Sequence, residues 1–371
     1  MGRYARPMEE RNQAGSFLAG DLVPAESPPA EVAVARRARR GLAVWLVILF
    51  VCGLGGLLLD QPEAAALVAL GTLFAAAHAA DLDPLWRQAW QILGFVPPLG
   101  GVLFFAYLAT VVLPSNLPHA ARLAALGFAA AGMIVLGASA VPEIGRALAR
   151  RCFHADPSHA LRLGAQVTVA GLLLAVPAWF AFDALKPALL EDPEAVLGKA
   201  KLSGALAGYV LLALGGVGCW VRRDFRATLA RLGLTRPTMR HGGVILTGAI
   251  ALVVLNAAAE AVQHRYFPAL WKLDHDMSQL IAHALTPGRV VLLGLSAGIG
   301  EEITLRGGLQ PKLGIAGTSL LFAALHVQYS WFGMVLVFAL GVALGLVRKH
   351  ASTTAAIIVH GLYDMLAVFS T

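Results

Sequence analysis

What most constrains this chain is a succession of long apolar runs, beginning at 41–59 and recurring to the last residues, separated by short polar or basic stretches. About 20 apolar residues, at roughly 1.5 Å per helical residue, match the hydrocarbon thickness of a bilayer. No water reaches an unpaired backbone group there, so such runs fold as helices. Only 14% of the 371 residues are charged and 58% are hydrophobic, against about 25% charged in an ordinary globular domain. An all-α, polytopic membrane helical bundle follows, and a soluble enzyme does not fit. The net charge of +7 (29 Lys+Arg, 22 Asp+Glu) sits in clusters between apolar runs. That distribution suits orientation in a membrane and not nucleic-acid binding. Cys52, Cys152 and Cys219 are odd in number and far apart, which predicts reduced, structural thiols.

Residues 1–35 are polar and proline-bearing and read as a disordered cytoplasmic tail. Arg36, Arg37, Arg39 and Arg40 then precede the run 41–59, which reads as a signal anchor leaving the cytoplasm. Six further runs follow at about 64–80, 91–113, 123–141, 163–182, 202–221 and 243–263. Alternate threading puts Arg146, Arg150 and Arg151, and later Arg222, Arg223, Arg226, Arg231, Arg236 and Arg240, on the cytoplasmic side. The block 36–263 is therefore a set of membrane helices of unassigned role. Residues 264–289 form an interfacial helix or a loop. The helical reading puts Leu270, Leu273, Met277, Leu280, Ile281 and Ala284 on one face. Runs at about 290–308, 317–331, 332–347 and 354–369 complete the chain, giving about eleven spans. The Ala-, Arg- and Gly-rich composition points to a bacterial inner membrane, with the chain multi-pass and its N-terminus cytoplasmic.

The chemistry concentrates in 290–371, where the acidic residues are Glu301, Glu302 and Asp364, all inside expected spans. An ionised carboxylate there costs several kcal/mol and needs a partner or a function. In GEEITLRGG, Glu302 and Arg306 are four apart on a helix and can pair, while Glu301 lies about 100° round the axis and can face elsewhere. Phe322 with His326, and His360 with Asp364, are further i, i+4 pairs. The run 64–80 supplies a control, since Phe74 and His78 also spell FxxxH without acidic company; His78 reads as structural. A glutamate near histidines in a dry cavity can take a proton from water, which then attacks a carbonyl while donors hold the oxyanion. Two histidines and a carboxylate can alternatively ligate zinc, although HExxH is absent. A proton-relay transporter and a non-catalytic immunity or scaffold protein are the competing classes. The first would call for polar clusters in both halves of the chain.

EExxxR (Glu301, Glu302, Arg306), FxxxH (Phe322, His326) and HxxxD (His360, Asp364), ordered on successive helices, resemble the CPBP family, the CAAX proteases and bacteriocin-processing proteins, also called Abi. The resemblance covers about 285–371. It implies an intramembrane helical core and endopeptidase activity at the membrane, with glutamate as the base, no required cofactor, and zinc as the alternative. Carried over, Glu301 is the water-activating base, His326 its partner, His360 with Asp364 the oxyanion side, and Phe322 a substrate contact. The implied partners are the lipid bilayer and a membrane-associated peptide or protein, such as a leader peptide or C-terminal anchor; nucleic acid is not among them. Prenyl-protein members usually carry Asn where this chain has Asp364. An ionised Asp cannot donate to an oxyanion, so Asp364 is either protonated or accepts from the ring of His360 and fixes its tautomer.

Overall fold

The protein is described by a computed structural model covering residues 30–113, 116–155, 157–191 and 197–369. Most of the expected tail lies outside the described residues, while 30–35 are already helical. The described residues are helical, with one isolated bridge between Cys219 and Arg223.

In chain order the helices are α1 (Ala30–Leu58, with a π-helical turn at Leu49–Gly53), α2 (Pro62–Leu82), α3 (Pro84–Leu93), α4 (Val96–Tyr107), α5 (His119–Ser139), α6 (Pro142–Phe153), α7 (His159–Glu191), α8 (Lys199–Gly216) and α9 (Phe225–Leu232). They continue as α10 (Met239–Tyr266), α11 (Pro268–Ala284), α12 (Pro287–Glu301), a π-helical segment (Glu302–Leu309), α13 (Gln310–Ala324), α14 (Trp331–His350) and α15 (Thr353–Phe369). Pro at the first position starts α2, α3, α6, α11 and α12. Its fixed φ suits a helix start and its missing N–H costs no intrahelical bond there. Asp224 caps α9, accepting from the Ala227 N–H at 2.7 Å. Gly233, at φ +73°, ends it in the left-handed region that favours glycine.

Seven helices among the described residues are long and apolar enough to cross a membrane, and eight if α11 and Pro287–Ala324, bent by 117°, form one broken span. The expected eleven are not borne out, for three physical reasons. Lys199 and Lys201 begin α8, and the run to 221 is cut at Gly216 by a turn with Gly218 and Trp220 at positive φ. The run 290–308 continues through the π-helical segment to Leu309, and the run 317–331 is helical only as far as Ala324, beyond a non-helical break at Gly314. α15 is apolar but has only 17 residues. Of the two readings of 264–289, the helix is the one observed: α11 buries Met277 while Leu273 stays half exposed.

The N-terminal helices share a core of small residues and aromatics. Trp45 is fully buried and its indole N–H donates to the Cys219 carbonyl at 3.0 Å. His78 is buried there too, with Nε2 3.0 Å from the Gly216 carbonyl, a helix-to-helix bond far from the motif cluster. The two blocks meet along α8 and α12, where Ser296 donates to the Leu202 carbonyl at 2.9 Å.

Candidate active site

The site forms because small residues let three backbones approach. A Cβ on Gly294 would sit 2.8 Å from the Gly361 carbonyl oxygen, and one on Gly298 would sit 2.9 Å from the Gly361 nitrogen. Gly294 and Gly298 are one turn apart on α12, so this is a small-xxx-small contact against α15. It brings the end of α12, with Glu301 and Glu302, beside His360. On the other side a Cβ on Gly341 would meet Phe322 at 3.0 Å, which seats α13 against α14.

Past Glu301 the helix widens to a π-helix over Glu302–Leu309. Such segments are rare and recur at functional sites. Glu302 and Arg306 are fully buried, with Arg306 Nε 3.6 Å from Glu302 Oε2. The arginine also donates from Nη2 to the Gly341 carbonyl at 3.1 Å and lies 4.7 Å from the centroid of the Phe322 ring. The expected Glu302–Arg306 pair is thus present. Glu302 has a second partner that the spacing did not reveal: its Oε1 is 3.1 Å from His360 Nδ1. On the far side of the ring, His360 Nε2 is 3.5 Å from Asp364 Oδ2, an ion-pair distance longer than an ordinary hydrogen bond. His360 is therefore held between two carboxylates.

His326 lies just beyond α13, in the turn that leads to α14, and not inside a span as expected. Its Nδ1 is 2.7 Å from the Phe322 carbonyl. A carbonyl only accepts, so Nδ1 carries the proton and Nε2 of a neutral ring is free to accept. Phe322 packs on both histidines, its ring 4.6 Å from that of His326 and 5.7 Å from that of His360. One aromatic side chain spaces the two imidazoles and covers the buried guanidinium.

Glu301, Phe322, His326, His360 and Asp364 all face one cavity of about 440 Å³, a volume suited to a peptide segment or small ligand. Glu302 and Arg306 do not line it; they lie behind His360 and Phe322. Glu301 Oε2 is buried without a hydrogen-bond partner. A buried carboxylate oxygen left unpaired calls for an explanation, and here it lies on the wall of a polar cavity.

Sequence reasoning missed the opposite wall. α10 contributes Asn256, Glu260 and Gln263, and α11 contributes Trp271, Asp274 and His275. Asp274 ties down the turn that carries His326: its Oδ1 accepts from the Ser330 N–H at 2.6 Å and its Oδ2 from the Ser330 hydroxyl at 2.7 Å. Gln263 donates to the same Oδ2 at 2.6 Å. Ser330 in turn caps α14 through the Gly333 N–H at 3.2 Å, and Trp179 fixes the turn from α7 by donating to the Tyr329 carbonyl at 2.8 Å. The nearest sequence signal was Ser330 before Trp331, an N-cap ahead of an apolar run. Its aspartate partner is 56 residues away and announced nothing.

His326 has one ring nitrogen on a carbonyl and His360 lies between two carboxylates. Among the described residues no three His, Cys, Asp or Glu side chains are gathered to hold a metal.

Comparison with known proteins bears on the same segment. Residues 283–366 match the family described as type II CAAX prenyl endopeptidase Rce1-like. Among curated proteins, the chain is 29% identical over 102 residues to the uncharacterized protein YpbD of Bacillus subtilis (strain 168), covering 27% of this chain and 54% of that protein. The chain thus spans about half the length of the curated relative it matches. No solved structure matches.

Proposed function

Because residues 283–366 match the Rce1-like family within a multi-pass membrane protein, we propose that the protein is an intramembrane endopeptidase of the CPBP type. It hydrolyses a peptide bond of a membrane-associated substrate with a water activated by Glu301. The observation that carries this reading is the division of labour between adjacent carboxylates. Each glutamate has one buried oxygen without a hydrogen bond, but that of Glu302 lies 3.6 Å from Arg306 and its other oxygen meets His360, whereas Glu301 lines the cavity with no cation or histidine among the described residues bonded to it.

Each step follows from the donors in place. A water between Glu301 and His326 gives its proton to the carboxylate while donating its other hydrogen to Nε2 of His326, whose Nδ1 proton is engaged by Phe322. The hydroxide adds to the scissile carbonyl and its electrons move to the oxygen. His360, as an imidazolium whose Nδ1–H is held by Glu302, offers its Nε2–H beside Asp364 to that oxyanion. Glu301 then returns its proton to the departing amine, which breaks the C–N bond and regenerates the carboxylate. On this reading Asp364, 3.5 Å from Nε2, orients the ring as an acceptor and is not itself the oxyanion donor. Phe322 is a substrate contact as well as a spacer.

The substrate class is a leader peptide or the anchor of a membrane protein, met in a bacterial inner membrane with the chain's N-terminus cytoplasmic. The test is a comparison of membrane proteomes from wild-type, deletion and Glu301→Gln strains. Proteins whose leader or anchor persists equally in the deletion and the variant are substrates; absence of any such difference would contradict the reading.

A further inference from the structure

Most polar side chains of the cavity come from the same end of the helices around it, over an apolar floor that includes Leu252, Leu340 and Leu344. α14 lines the cavity with Gly333, Leu336 and Val337, near its start and about 20 Å, at 1.5 Å per residue, from Arg348 and Lys349 at its other end, and with Leu340 and Leu344 of the apolar floor, which reach toward that end. α10 lines it with Asn256, Glu260 and Gln263, 16 to 23 residues beyond Arg240. α15 lines it with Tyr363, Asp364 and Val368, well past Thr353. α13 contributes Phe322 and His326, at the end away from Lys312.

The opposite ends meet in one basic face. Arg37 donates to the Arg222 carbonyl, and Arg231 donates from Nη1 to the Gly307 carbonyl at 3.0 Å. The Thr353 N–H, four residues past Lys349, donates to the Gly233 carbonyl at 3.2 Å. The segment 217–240 alone carries Arg222, Arg223, Arg226, Arg231, Arg236 and Arg240. At the cavity end stand Arg265, Lys272, paired with Asp276 at 3.0 Å, and Arg289, fewer than the six arginines of 217–240 alone. Lys- and Arg-rich loops stay in the cytoplasm, so the basic face is the cytoplasmic one.

We infer that the active-site cavity opens on the side of the membrane opposite the cytoplasm, past α11 and the turn carrying His326. The substrate is then a translocated segment: a peptide bond on the far side of a leader or a membrane anchor, next to its apolar span. A tail that stays in the cytoplasm would meet the basic face and the apolar floor of the cavity rather than its polar end. The substrate assignment rests on the peptidase reading, whereas the direction of opening rests on charge and helix register and is tested without activity.

The experiment uses the full chain in bacterial spheroplasts, with Cys52, Cys152 and Cys219 replaced by Ala. Single cysteines are placed at exposed positions, Asp276→Cys and Glu260→Cys at the cavity end, and Arg226→Cys and Lys349→Cys at the basic end. The probe is a membrane-impermeant sulfonated maleimide, added before or after permeabilisation. Labelling of both cavity-end cysteines on intact spheroplasts, at least tenfold above the two basic-end cysteines, which react only after permeabilisation, is the expected result. The reverse pattern overturns the inference. So does outside labelling of Asp276→Cys with Glu260→Cys reacting only after permeabilisation, because the cavity would then be shut on that side. Adding Glu301→Gln should leave labelling unchanged, so a failure here is distinguishable from a failure of the peptidase reading.

Discussion

Changing Glu302 to Gln removes the counter-charge of a fully buried arginine while keeping side-chain volume and an oxygen for His360. Arg306 would keep only the Gly341 carbonyl and the face of Phe322. At the observed 3.6 Å separation and an effective dielectric of 20, the lost attraction is about 4.6 kcal/mol. That agrees with the roughly 3–5 kcal/mol seen when one member of a buried pair is removed. On the scale of a domain of 150–250 residues this is a fall of about 6–20 °C in Tm. Arg306→Met strands Glu302 instead, but His360 still contacts that carboxylate at 3.1 Å, so this change should cost less. The double variant leaves neither charge unpaired and should be less destabilised than the two single costs summed, by about 0.5–3 kcal/mol. Thermal unfolding of the detergent-solubilised full chain reads all three. Single costs that add to within about 0.5 kcal/mol, or a Glu302→Gln protein as stable as wild type, would refute the pairing.

Further outcomes follow from the same contacts. Asp274→Ala should loosen the turn holding His326 and lower activity, with roughly 0.5–2 kcal/mol lost with the Ser330 contacts; unchanged cleavage in this variant would remove Asp274 from the account. Gly361→Leu should force α12 from α15 and destabilise the chain by about 1–3 kcal/mol, with loss of cleavage; wild-type unfolding and activity would contradict the close packing. Cleavage should persist in a strong chelator, whereas joint loss of stoichiometric zinc and activity, both restored by added zinc, would establish a metal mechanism.

Much of the site was legible because its chemistry is local. Glu302 and Arg306 are four apart and pair as the spacing implies, and the angular offset of Glu301 puts it on the cavity. The ordered motifs pointed, without any view of the structure, to the family whose model matches residues 283–366. What the sequence did not disclose depends on contacts between distant segments. The bond from His360 to Glu302 spans 58 residues, and the Asp274–Ser330 contact spans 56. The apolar pattern cannot distinguish a span from a helix that bends at a π-helical segment or ends at a polar turn. The run 290–308 thus passes into a π-helical segment, and the run 317–331 is a shorter helix beyond the break at Gly314 that ends at Ala324.

The central claim is that Glu301 alone of the paired carboxylates takes the proton from water. The most direct measurement is single-turnover cleavage of an identified substrate by purified, reconstituted wild-type and Glu301→Gln proteins, both shown to unfold at the same temperature. The account predicts a loss of about 10²–10⁴ in the rate of the chemical step for the variant. Cleavage by Glu301→Gln within a few-fold of wild type would contradict it.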